Sequence, residues 1–270
     1  MIRRLLFTLF VILIALNLAG IIFPNDRREE LGVTLSYEQA LKQLDDAHER
    51  LGPGSPFLHE ASAIYARAIN YVWPLEWARI PARDNWILFT LSFTDPIFTA
   101  LGLSKVDTLF KEFQSLDYTR ALKRGFGICS QNAIAMSDLL YRRYDIESHV
   151  VGLEGHVILE AVRGSERTLL DPSIGLAFDL ALDDLTKSDR TYLSNAYLAA
   201  GHPELGVTYD EAGNIREPLG PQGYQPRVFL IERFADWLIW LIPLLGLLTL
   251  YLTKSKTAHK AKLTRKETWV

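Results

Sequence analysis

Two apolar runs without a charged residue stand near the ends of the chain, and the stretch between them mixes polar and apolar positions. Leu5 to Phe23 is nineteen residues long. As a helix it reaches roughly 28 Å, close to the ~30 Å hydrocarbon core of a bilayer. Trp237 to Thr253 is seventeen residues between Asp236 and Lys254, at the lower limit for a span. It contains Pro243 and Gly246, which membrane helices tolerate. Trp237, Trp240 and Tyr251 lie toward its ends, where amphipathic rings favour the interface. The first run exceeds a secretory h-region, and Asn17-Leu18-Ala19 is a poor cleavage signal, so it reads as an uncleaved anchor.

Between the runs, Ser36-Tyr37-Glu38-Gln39 fits a capping box and predicts a helix over about 37–50. Leu58, Ala61, Tyr65, Ala68 and Val72 form one stripe and predict a second helix over about 57–72. Residues 84–93 and 104–114 read as helical, broken at Asp95-Pro96. Residues 129–143 are a further helix, with Ala133, Met136 and Leu140 on one face. Three β-rich runs follow, at 146–153, 156–162 and 167–171, the last two separated by the hairpin signal Gly164-Ser165. A helix feeding an antiparallel sheet is an α+β arrangement. Residues 182–200 read as helical. Residues 201–227 read as a long loop with a turn at Ala212-Gly213-Asn214.

Charge adds an orientation. Eight of the 29 basic residues and only one of the 32 acidic ones lie in residues 1–4 and 254–270. Lys and Arg flank membrane helices on the cytoplasmic side, so both termini are expected in the cytoplasm and the middle beyond the membrane, in the periplasm of a bacterium. The same basic tail weighs against reading the second run as a buried core helix. The net charge of −3 argues against a nucleic-acid binder. The single cysteine excludes an internal disulfide framework and a multi-thiolate zinc site.

That cysteine, Cys129, follows Gly125-Phe126-Gly127-Ile128 and opens a helix. The glycines permit a sharp turn, and the partial positive charge of a helix N-terminus favours a thiolate. Taking Gly164-Ser165 as the hairpin loop, paired residue numbers sum to 329. Asp171 then opposes Ile158, which shares a face with His156. His156 and Asp171 become diagonal neighbours, a geometry suited to a carboxylate orienting an imidazole. A register slip of one residue would put Asp171 on the opposite face. In this reading Cys129 is the nucleophile, His156 its base, and Asp171 the group that fixes the histidine tautomer. A backbone N–H at the helix start, that of Cys129 itself, can donate to an oxyanion.

Gly127-Ile128-Cys129-Ser130-Gln131, Gly155-His156-Val157-Ile158-Leu159-Glu160 and Leu169-Leu170-Asp171-Pro172 resemble the transglutaminase-like superfamily in order and spacing, over roughly 115–180. The resemblance implies a papain-like α+β core and triad roles for Cys129, His156 and Asp171. Val157 and Ile158 replace an aromatic residue often found after the histidine. Trp86 is an unanchored counterpart of an oxyanion-site tryptophan. Lys123 and Arg124 stand where papain-type enzymes have a glutamine. His149 lacks an orienting acid, Glu160 reads as a solvated strand carboxylate, and Asp179 replaces Asp171 only if the register is wrong.

The expected organisation is a cytoplasmic start (1–4), a span (5–23), a helical extracytoplasmic region (24–114), a transglutaminase-like core (115–200), a loop-rich connector (201–235), a span (236–253) and a basic tail (254–270). The expected function is a membrane-anchored thiol enzyme acting on amide bonds of a protein or peptide through a thioester, as a peptidase or amidase, with no cofactor or metal. A membrane-protein partner is left open. The alternatives are a non-catalytic binding or assembly module, and an acyltransferase of the arylamine N-acetyltransferase kind.

Overall fold

The computed structural model describes residues 1–23, 33–72, 80–94, 97, 100–101, 115–210, 215–223 and 226–267. The expected helix over 104–114, the break at Asp95-Pro96 and the turn at 212–214 fall outside them.

The chain opens with α1 (Ile2–Ile22), followed by α2 (Tyr37–Leu51) and α3 (Ser55–Ala68). The capping box forms as expected. Gln39 N–H donates to Ser36 Oγ at 3.2 Å, and Ser36 N–H to Gln39 Oε1 at 2.8 Å. Helix α3 ends four residues earlier than its apolar stripe suggests. Asn70 and Tyr71 leave the helix to form strand β1, whose flanking N–H groups donate to the carbonyls of Gly125 and Gly127. Helix α4 (Ala82–Leu91) has an extended residue at Asn85. Helix α5 (Tyr118–Arg124) is capped by Asp117, and strand β2 (Phe126–Gly127) pairs in parallel with β1, Tyr71 opposite Gly127.

Helix α6 (Cys129–Tyr144) leads into the sheet. Strands β3 (Glu147–Leu153), β4 (His156–Arg163), β5 (Glu166–Asp171) and β6 (Leu176–Phe178) form an antiparallel meander. The β4–β5 register, Arg163 opposite Glu166 and Leu159 opposite Leu170, is the one that sums to 329. Gly164, with φ 58, occupies the first loop position, where a tight hairpin turn requires a positive φ. The expected helix over 182–200 is instead a short 3-10 turn (Leu182–Asp184) and α7 (Lys187–Ala199), because Thr186 and Asp189 form a second capping box that starts a new helix.

The expected loop over 201–227 contains α8 (Pro203–Gly206), a 3-10 turn and strand β7 (Ile215–Leu219). Strand β7 adds to the edge of the sheet beside β3, giving the order β6-β5-β4-β3-β7. Its Pro218 is the kind of residue that hides an edge strand from sequence reading. The chain closes with α9 (Pro226–Glu267).

The sheet is covered on both faces. On one side Val150, Leu159, Ala161 and Leu170 pack against α2, α3, α5 and α6. One core therefore joins residues of the 24–114 region to the sheet. On the other, Val151, Ile158, Leu169 and Phe178 pack against Leu193 and Tyr197 of α7 and Leu205 of α8.

Two helices, Ile2–Ile22 and the Leu230–Lys254 part of α9, are long and apolar enough to cross a membrane. They pack against each other. Asn17 Nδ2 donates to the Ile239 carbonyl at 2.6 Å, Arg3 to the Leu250 carbonyl, and Gly246 faces the Phe10 ring. Numbers rise along one helix as they fall along the other, so the pair is antiparallel. The N-terminus and Lys254 thus share one end. At the other end α4 packs on both helices. Leu88 joins a small core with Ala235, and Asp236 accepts from Asn85 Nδ2 at 3.0 Å and from Arg120 Nη1 at 2.8 Å.

Candidate functional site

The turn ahead of Cys129 is held from within. Gly125, with φ 75, ends α5 in a left-handed conformation. Gly127 has no room for a side chain, since a Cβ there would sit 2.5 Å from Asn132 Oδ1. Arg124, 7% exposed, donates through Nε to the Phe126 carbonyl at 3.2 Å and stacks over the Phe126 ring. Its Nη2 donates to Gln131 Oε1 at 3.2 Å, and Gln131 Nε2 donates to the Ser115 carbonyl at 2.6 Å. The chain enters α6 with Cys129 as its first residue. Ile128, at the N-cap, has no side chain that can satisfy the leading N–H groups. A helix N-terminus left this way is a ready site for negative charge.

His156 opens β4 on the face that carries Ile158, and its side chain is fully buried. Its Nε2 lies 2.6 Å from Asp171 Oδ2. Asp171 is itself buried and accepts two more hydrogen bonds, from the Tyr197 hydroxyl at 3.0 Å and from the Ser173 N–H at 3.0 Å. The Tyr209 hydroxyl lies 3.0 Å from that of Tyr197, extending the buried network. Such full satisfaction fixes the carboxylate, and with it the imidazole plane. The other ring nitrogen, Nδ1, has no conventional hydrogen-bond partner. Cys129 is the thiol acting on this ring. Burial alone would lower the His156 pKa, but the charge and hydrogen bond of Asp171, with those of Cys129, push it up to about 10. The arrangement favours the protonated, imidazolium form of His156.

The structure thus brings Cys129, His156 and Asp171 together. It also adds residues that sequence reading passed over. Tyr71, expected on a helix, stands beside His156 with ring centroids 6.4 Å apart in an edge-to-face arrangement. Burial first, then the charges of Cys129, Asp171 and Glu204, push its hydroxyl pKa up to about 12. The two-residue parallel ladder that places it there is a non-local pairing that leaves no periodic trace. Tyr197 carried a faint signal: with Leu193 it makes an i, i+4 pair facing inward, and a buried tyrosine hydroxyl calls for a partner.

Other residues fall away from this centre. Glu160 is not solvated: it is 1% exposed, pairs with Arg216 Nε at 2.7 Å and accepts from the Leu182 N–H at 2.9 Å. The reason is β7, which brings Arg216 across the sheet; Arg216 also reaches Asp183. His149 Nδ1 lies 2.7 Å from the Glu217 carbonyl, at that same edge. Asp179 bonds to Ser55 and to His59 Nε2, tying the segment after β6 to α3. Trp86 belongs to α4, which packs on the two long helices. Lys123 lies over the Tyr37 ring. Among the described residues no group of three or more His, Cys, Asp or Glu side chains is arranged to hold a metal ion.

No family model matches the chain, and no curated protein or solved structure matches it either.

Proposed function

We propose that the chain is a membrane-anchored, transglutaminase-like thiol hydrolase that cleaves amide bonds of a protein or peptide. The observation that carries this reading is the buried relay: Asp171 on one nitrogen of His156, and Cys129 acting on the ring from an uncapped helix N-terminus.

The Cys129 sulfur attacks the amide carbon, and the carbonyl oxygen takes the negative charge. The Cys129 backbone N–H at the start of α6 donates to that oxyanion. The C–N bond breaks as His156 gives its proton to the leaving nitrogen, leaving a thioester on Cys129. His156 then removes a proton from water, whose oxygen attacks the thioester. The acid leaves and the thiolate returns. Asp171 holds the ring in place and stabilises the imidazolium. The antiparallel helix pair supports both termini on the cytoplasmic side and the site beyond the membrane.

A fluorogenic peptide-amide library tests the chemistry on the full chain in nanodiscs. Acid quenching should trap an adduct on Cys129 that hydroxylamine releases, absent in Cys129→Ala. Hydrolysis persisting in Cys129→Ala contradicts the mechanism. One observation favours a second reading, a binding module: Cys129 is only 7% exposed. A thiol of ordinary reactivity would support that reading instead.

A further inference from the structure

The helix that enters the membrane also touches the frame of the nucleophile. Glu232 lies five residues before Trp237, where the apolar run of α9 begins. It is 3% exposed, a costly place for a carboxylate without compensation. The Ser115 hydroxyl and the Leu116 N–H donate to it, while its Oε2 keeps no partner. Ser115 uses its carbonyl in the other direction, accepting from Gln131 Nε2 at 2.6 Å. Gln131 is two residues beyond Cys129, and it also holds Arg124, which grips the Phe126 carbonyl in the turn that aims the thiol. Burial pushes the Arg124 pKa down, and Asp84 of α4, Glu232 of α9 and Tyr65 act against that. Contacts from the membrane helix therefore run without a gap to both sides of Gly125–Ile128.

Simple anchoring does not require this carboxylate. Asp236, one turn on, already ties α9 to Arg120 and Asn85. A buried carboxylate with one unpartnered oxygen is a poor source of stability, since desolvation offsets its attractions. What it supplies is a fixed place for residues 115–116.

We infer that Glu232 is a positioning residue for Cys129, so that α9 completes the support of the nucleophile as well as anchoring the protein. The inference rests on the thiol-enzyme reading of Cys129.

The test is the rate of Cys129 alkylation by iodoacetamide against pH, on the full chain in nanodiscs, with thermal unfolding measured alongside. Variants are Glu232→Ala, Glu232→Gln, Gln131→Ala, the Glu232→Ala/Gln131→Ala double, and Phe234→Ala as the control. Phe234 is 65% exposed on the same helix. Glu232→Ala should slow alkylation at pH 7 by roughly tenfold or more and move its pH dependence toward that of an ordinary thiol. Glu232→Gln, which keeps the shape, should recover part of the loss, and it decides the matter if the alanine variant does not fold. The double variant should react no more slowly than the slower single, because both act through one chain of contacts. Phe234→Ala should match wild type. Wild-type reactivity in Glu232→Ala and Glu232→Gln, or independent multiplying effects in the double, overturns the inference. An ordinary thiol in the wild type overturns the enzyme reading itself, a result distinguishable from both.

Discussion

Replacing Asp171 by Asn keeps the shape of a fully buried side chain and removes its charge. The His156 pKa lies at about 10 against an ordinary 6.5, with Asp171 the largest influence raising it. At about 1.4 kcal/mol per pKa unit, that shift corresponds to on the order of 5 kcal/mol favouring the folded state. The folded value is above the unfolded one. The stabilisation is therefore full below pH 6.5 and is lost as pH rises through about 10. In Asp171→Asn, burial, the largest influence of all, is opposed only by the smaller ones of Cys129, so the His156 pKa drops and most of this loss disappears. Thermal unfolding in nanodiscs, followed by tryptophan fluorescence at half-unit steps from pH 6.5 to 9.5, reads the difference. Above about pH 8.5, where an unfolded thiol is ionised as well, wild-type Tm should fall by a few degrees on the way to pH 9.5, while Asp171→Asn should stay nearly flat. At pH 6.5 the variant should already be less stable by about 3–5 kcal/mol, the usual effect of breaking a buried pair. Parallel profiles for the two proteins would refute the buried imidazolium–carboxylate pair.

Three further outcomes follow from the packing around the site and the helix pair. Tyr71→Phe keeps the ring that meets His156 edge-to-face and should leave Tm and peptide-amide cleavage near wild type, while Tyr71→Ala should slow cleavage by about 10²-fold; an unchanged rate in Tyr71→Ala would remove Tyr71 from the site. Gly127→Ala places a Cβ 2.5 Å from Asn132 Oδ1 and 2.8 Å from Gln131 Cγ, so it should cost about 1–3 kcal/mol and slow Cys129 alkylation, both checked on one preparation. Gly246→Leu drives side-chain atoms into the Phe10 ring, where a Cβ alone would approach to 2.3 Å; disulfide crosslinking between Cys introduced at 17 and 239, in a Cys129→Ser background, should fall sharply.

The parts of this fold that sequence made legible are those governed by local rules. The Ser36 capping box, the Gly164-Ser165 hairpin and the two apolar runs depend on residues adjacent in the chain. The register that places Asp171 near His156 came from counting back from one turn, and the ladder repeats it. The errors arose where distant segments meet. Tyr71 reads as helical, yet the carbonyls of Gly125 and Gly127 draw its segment into a strand. Glu160 reads as solvated because the cation that neutralises it, Arg216, sits on an edge strand concealed by Pro218. Tyr197, Gln131 and Glu232 support the site through contacts across 26 residues or more, or through partners on other elements, and no periodicity records such pairings.

The central claim is that Cys129 is a thiolate activated by His156, and its reaction with iodoacetamide tests that claim most directly. The full chain is needed, because α9 contacts the frame of the nucleophile. With His156→Ala as the control, the account predicts fast alkylation maintained well below the free-thiol pKa of about 8.5, collapsing to ordinary thiol behaviour in the variant. Slow alkylation that follows an ordinary thiol titration in both proteins would contradict it.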